Sequence, residues 1–134
     1  MRFGAAYYRG TDCCLLVLDI TNEDSFISLE TWKNEFLEGA GINDIENYPI
    51  AILVNKIDEI PHLHKVDINK VREWGEEIGH VPVYETSAKT GENVEQSFID
   101  IVSKALKTSI HVSQTQNTGS IQLDTTNNQN NGCC

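Results

Sequence analysis

The chain has 134 residues, room for one domain and one hydrophobic core. Twenty acidic side chains stand against ten basic ones, a formal net charge of −10, which excludes the basic face that nucleic-acid binding requires. No apolar run approaches the roughly 20 residues of a membrane span, and no signal peptide opens the chain, so a cytosolic start is expected.

Residues 1–10 predict a short helix stopped by Gly10. Residues 13–20 (Cys-Cys-Leu-Leu-Val-Leu-Asp-Ile) are almost continuously apolar and predict a central strand of a parallel sheet. Cys13 and Cys14 read there as small buried hydrophobes. Asn22 or Asp24 can cap the helix that follows, through about Leu37. Phe26, Leu29, Trp32 or Lys33, and Phe36 or Leu37 recur at helical spacing, with Trp32 as a packing residue. Gly39 and Gly41 end this helix, 42–48 is a loop, and Pro49 opens the next strand, a position open to proline. Residues 59–66 read as loop. His62 and His64 lie there with no cysteine or third histidine nearby, and are read as loop residues rather than metal ligands. Asp67 caps a helix through about Ile78, with Val71, Trp74 and Ile78 on one face and Gly79 at its end. The last helix is expected over 93–107, with Val94, Phe98, Ile101, Val102 and Ala105 or Leu106 as its buried stripe. From Thr108 onward Asn, Gln, Thr and Ser dominate, which predicts a disordered tail.

The chemistry concentrates after two strands. Residues 50–54 are an unbroken apolar run that stops at Asn55-Lys56-Ile57-Asp58. Such a run fits a strand buried on both faces, and in open α/β sheets ligands sit beyond the carboxyl ends of strands. Asp58, when ionised, offers two acceptors side by side. Guanine presents two adjacent donors, N1–H and its exocyclic amine, whereas adenine has an acceptor at N1. Asn55 carries a donor and an acceptor, and the Lys56 stem can lie along a flat base. Residues 81–86 predict another strand, followed by Ser87-Ala88-Lys89. A helix separates the two strands, so both polar loops end neighbouring strands of one βαβ unit.

Asn55-Lys56-x-Asp58 and Ser87-Ala88-Lys89 together resemble the guanine-recognition elements of the small GTPases. The resemblance implies guanine contacts from Asn55, Lys56, Asp58, Ser87, Ala88 and Lys89, with the Ala88 backbone N–H donating to the guanine O6. Further runs resemble the Rab branch, and within it the late-endosomal and lysosomal Rab, over about residues 4–107: Arg9-Gly10-Thr11-Asp12-Cys13-Cys14, Ser25-Phe26, Glu35-Phe36-Leu37 and Asn93-Val94-Glu95-Gln96-Ser97-Phe98. The final Cys133-Cys134 resembles the doubly geranylgeranylated end of many Rabs. Neither cysteine pair has zinc spacing, and a reduced compartment fits.

The fold implied is α/β: the C-terminal half of a small-GTPase domain over 1–107, three parallel strands with flanking helices, plus the disordered tail 108–134. No Gly-Lys-Ser/Thr phosphate loop, first-switch threonine or Asp-x-x-Gly segment occurs in the chain. An N-terminally truncated Rab is therefore expected, a GTPase by resemblance with no catalytic or metal-binding residue among these 134. The resemblance implies GTP or GDP as ligand, magnesium in the full-length family, and a geranylgeranyl lipid. It also implies effectors, an escort protein and a GDP-dissociation inhibitor as partners, and the cytosolic face of endosomal, lysosomal or vacuolar membranes as the location. Two readings follow: a guanine-nucleotide switch in vesicle and endosome-to-lysosome trafficking, or a non-hydrolysing, prenylated interaction module.

Overall fold

The computed structural model describes residues 4–117. A short 3-10 helix, Ala5–Tyr8, leads into strand β1 (Cys14–Asp19), helix α1 (Glu23–Ala40), strand β2 (Ile50–Asn55), helix α2 (Ile68–Gly79), strand β3 (Val83–Glu85) and helix α3 (Val94–Asn117). The sheet runs β1-β2-β3 with both pairs parallel; Cys14 stands opposite Ile50, Asp19 opposite Asn55, and Ile52 opposite Val83. This is the expected three-stranded parallel arrangement with helices on both faces.

Two successive right-handed crossovers stepping the same way along a sheet put their helices on one face. α1 and α2 accordingly share a face, and α3 folds back over the other. β2 feeds both. Ile50, Ile52 and Val54 enter the larger core with Leu16, Leu18, Leu29 and Val71, while Ala51 and Leu53 join Ile101 on the opposite side. The unbroken apolar run is thus buried on both faces, as read.

Local signals act where they were placed. Asn22 caps α1, its side chain accepting from the Asp24 N–H, and Gly41 closes that helix in the left-handed region at φ 69°. Asp67 caps α2 by accepting from Asn69 N–H. The loop 59–66 contains a 3-10 turn, Pro61–Leu63, and is sewn to β1: the Lys65 and Val66 N–H groups both donate to Ile20 O, at 2.8 and 3.1 Å.

Four expectations are corrected. Trp32 is 42% exposed, and Lys33 is the buried residue of that turn, its ammonium 2.6 Å from Glu30 Oε1 and over the Trp74 ring. The stem covers apolar surface while the charge keeps partners. β1 is not central: its outer edge pairs with no strand among the described residues, and Val17 is 54% exposed. α3 seats Ser97, Ile101 and Ala105 on the sheet and leaves Phe98, Val102 and Leu106 half-exposed or more. Ile101 supplies the apolar bulk of that contact between two small residues, Ser97 and Ala105, four positions to either side, and the Ser97 hydroxyl is satisfied by donating to Val94 O at 2.8 Å. Finally, residues 108–117 continue α3, where disorder was expected. The hydroxyls of Thr108, Ser109 and Ser113 donate to carbonyls four residues back, each at 3.0 Å, and so do not compete with the helix. The remainder of the expected tail, with Cys133 and Cys134, lies outside the described residues.

Candidate functional site

Both polar loops emerge at the carboxyl end of the sheet. At the last residue of β2, Asn55 points its Oδ1 across to the next strand, where it accepts from the Ala88 N–H at 3.0 Å and from Thr86 Oγ1 at 3.4 Å. Lys56 then turns into the left-handed region at φ 67°. Ile57 N–H donates to Thr86 O at 3.2 Å, and the turn closes with Glu59 N–H on Lys56 O at 3.0 Å. Asp58 Oδ1 accepts from Ser87 Oγ at 2.6 Å.

The second loop is held as firmly. Thr86 and Ser87 are buried at 1% and 0% exposure. Thr86 N–H donates to Val54 O at 2.8 Å, and Gly91 N–H donates to Ser87 O at 2.8 Å. Ser87 Oγ also accepts from Thr90 N–H at 3.1 Å. Asn93 fixes the exit of the loop, its amide donating to Glu85 O at 2.8 Å. Each buried polar group therefore has a partner, as such groups must.

Asn55, Lys56, Asp58, Ala88 and Lys89 line one hollow of about 270 Å³, with Glu59 on its rim. Ser87 sits behind it, bonded to Asp58. Five of the six predicted guanine-contacting residues thus face one space, and the sixth orients a member. The Ala88 N–H, the group expected to meet the guanine O6, donates to Asn55 Oδ1. The predicted lipid sites Cys133 and Cys134 fall beyond the described residues.

Sequence reasoning missed Asp19. It ends β1, beside Asn55 in the register, and its Oδ2 lies 2.6 Å from Lys56 Nζ. Burial pushes the Asp19 carboxyl up, but hydrogen bonds from Lys56 and Thr21, with the Lys56 charge, outweigh it and hold the group below the usual carboxylate range. The same hydrogen bond and charge raise Lys56 above the ordinary lysine value. The only available signal was a lone acid closing an apolar strand. Chemically, the hollow combines a carboxylate with accessible acceptors, an amide, backbone donors and two lysine stems. That set can read the hydrogen-bonding edge of a flat heterocycle.

The Ras family model matches residues 1–107. The chain is similar to the GTP-binding protein yptV5 of Volvox carteri, 44% identical over 104 residues, which is 78% of this chain and 51% of that protein. It is 45% identical over 105 residues to the Ras-related protein Rab7 of Pisum sativum, again 78% and 51% of the two chains. Against the Ypt/Rab-type GTPase YPT7 of Saccharomyces cerevisiae it is 41% identical over 104 residues, 78% and 50% of the two. The chain spans about half the length of the curated relatives it matches.

Proposed function

The chain belongs to the Ras family, with Rab7-type small GTPases as its relatives, and on that premise we propose that the hollow at the carboxyl ends of β2 and β3 recognises the guanine base of GTP or GDP. Asp58 pairs with N1–H and the exocyclic amine. Its Oδ1 keeps the Ser87 hydroxyl, which orients the carboxylate for both donors. The Asn55 amide group donates to the base, and the Lys56 and Lys89 stems flank its faces. The Ala88 N–H exchanges Asn55 Oδ1 for the guanine O6. The observation that carries this reading is the joining of the two loops through Asn55–Ala88 and Asp58–Ser87.

Base recognition fixes specificity, whereas most affinity for a triphosphate comes from backbone donors, lysine and magnesium at the phosphates. No residue of this chain is assigned to those tasks. Residues 1–134 are therefore expected to bind guanine nucleotide weakly and to release no phosphate. Sub-micromolar GTP binding, or phosphate release that Asp58→Ala abolishes, would contradict this.

The direct test follows backbone amide shifts of residues 55–58 and 86–89 during titration with guanosine, adenosine and xanthosine. Guanosine should bind in preference to adenosine. Asp58→Asn should reverse the order of guanosine and xanthosine, since xanthine presents an acceptor in place of the amine. Losing charge-assisted bonds to guanine should weaken it by about 2–4 kcal/mol. An unchanged guanine preference would remove Asp58 from the site.

The wider role follows the family. In a chain of its relatives' full length, this half would supply base recognition to a guanine-nucleotide switch in endosome-to-lysosome trafficking, on the cytosolic face of endosomal or vacuolar membranes. Magnesium serves the phosphates in the full-length family, and effectors, an escort protein and a GDP-dissociation inhibitor are the partners. Membrane attachment is by geranylgeranyl groups on Cys133 and Cys134. No Lys or Arg follows Lys107, so attraction to anionic lipid cannot contribute, and a single lipid anchors only marginally. Intact-mass measurement of protein from cells should show both lipids; unmodified cysteines would refute the anchor.

A further inference from the structure

Asp19 belongs to neither polar loop, yet both its carboxylate oxygens and its backbone are held. Its Oδ1 accepts from the Thr21 N–H at 2.9 Å and from the Thr21 hydroxyl at 2.7 Å. Its own N–H donates to Ser25 Oγ at 2.9 Å, and Ser25 Oγ lies 3.0 Å from Asp19 O as donor. Backbone and carboxylate are thus pinned from the β1–α1 side, with Oδ2 left aimed at Lys56 Nζ, 2.6 Å away.

Lys56 reaches that oxygen from an unusual backbone. Its φ of 67° lies in the left-handed region, which a side chain disfavours. The turn sends the Lys56 side chain toward β1, away from β3. Two other carboxylates, Glu59 and Asp58, also lie within the electrostatic reach of the ammonium. Asp58 is the residue whose oxygens the base needs. A lysine two positions from that loop acid would otherwise occupy those acceptors. An exposed ion pair contributes little to stability, so thermodynamic support of the fold does not account for so fully fixed a carboxylate.

We propose that Asp19 is a positioning residue of the base site: it draws the Lys56 ammonium to β1, laying the lysine stem along one wall of the hollow and keeping its charge off Asp58. The inference rests on the guanine reading above and adds a residue from a third strand to it. Three strand ends are then linked in series, β1 to β2 through Asp19–Lys56, and β2 to β3 through Asn55–Ala88 and Asp58–Ser87. Base specificity stays with Asp58, while Asp19 sets how much of Asp58 is available.

The test is a double-mutant cycle on residues 1–134 with guanosine as the probe, read by amide shifts. Asp19→Asn should weaken guanosine about two- to fivefold, the size expected of one partly exposed ion pair, with the preference over adenosine kept. In a Lys56→Met background, Asp19→Asn should have no further effect, because no ammonium remains to be held. Asp19→Glu, which keeps the charge, should recover part of the loss. A second readout needs no ligand: acetylation of Lys56 relative to Lys104 and Lys107 in the same chain should speed up about two- to fivefold in Asp19→Asn. Equal loss of affinity in both lysine backgrounds would overturn the proposal and make Asp19 a structural residue. Faster acetylation with unchanged guanosine affinity would leave the ion pair and overturn its role in binding. Failure of the parent chain to prefer guanosine to adenosine would overturn the guanine reading itself, and the positioning role with it.

Discussion

The face of the sheet under α1 and α2 and the face under α3 are built from alternate residues of the same strands, and they end in different conditions. Leu16, Leu18, Ile52 and Val54 point to the first face and are 0–6% exposed. Leu15 and Val17 belong to the second, where β2 is covered by Ile101 but Val17 stays half-exposed. On α3, the stripe Phe98, Val102, Leu106 and Ile110 is likewise exposed at 46–60%. A parallel strand written in apolar residues records that both of its faces need cover; it does not record which helix supplies it. Here two crossover helices complete one face and a single returning helix covers part of the other.

The largest expected effect tests that inequality. Ile52→Ala removes a side chain with no exposure and should cost about 3 kcal/mol in urea unfolding. Val17→Ala, one strand away on the other face, should stay within about 0.5 kcal/mol. Equal losses would mean the faces are equally packed. Gly75 sharpens the point for the complete face, because a Cβ there would meet Val81 O at 2.6 Å. Gly75→Ala should destabilise by about 1–3 kcal/mol despite the better helix propensity of alanine, as thermal melting would record. On the partly covered face, Val102→Gln with Leu106→Gln should change stability by less than about 0.5 kcal/mol while lowering the binding of a hydrophobic dye. A large loss there would show that the stripe is packed.

These contrasts also show what the sequence could carry. The run ending in Asn55-Lys56-Ile57-Asp58 was legible because strand burial, strand end and donor–acceptor matching pointed to one place. The pairing of that loop with Ser87-Ala88-Lys89 was legible because a single helix separates two parallel strands. The seating of α3 was not, since its largest apolar residues outline a stripe that the sheet does not use, and the residues it does use include Ser97. Nor was Asp19, whose partner lies 37 positions away and depends on the left-handed turn at Lys56. Glycine and capping signals located ends well at Asn22, Gly41 and Asp67, because each acts through bonds to its own neighbours.

The smallest effect lies at the edge of the complete face, where α2 ends. His80 Nδ1 is 2.7 Å from Glu76 Oε2, and that hydrogen bond with the Glu76 charge raises the imidazole above its ordinary 6.5. A raised folded value means the contribution to stability is fully present below about 6.5 and is lost as pH rises through the folded value. The ring titration followed by NMR should therefore move downward in Glu76→Gln, with little change in stability at pH 8. An unmoved titration would remove Glu76 as the cause.

α3 begins beside the hollow, where Asn93 is tied to Glu85, and passes Thr11 and Pro49 at the opposite end of the strands with Thr108 and Ser109. A 24-residue helix reaches about 36 Å, whereas a six-residue strand covers about 20 Å, so its final turns overhang the body. Asn117 thus stands at the pole opposite Asn55, Asp58 and Ala88. The two ends of α3 therefore serve different neighbourhoods: its first turn braces the loop that shapes the hollow, and its last turns lie a sheet's length away, so a change at Asn117 leaves the hollow untouched.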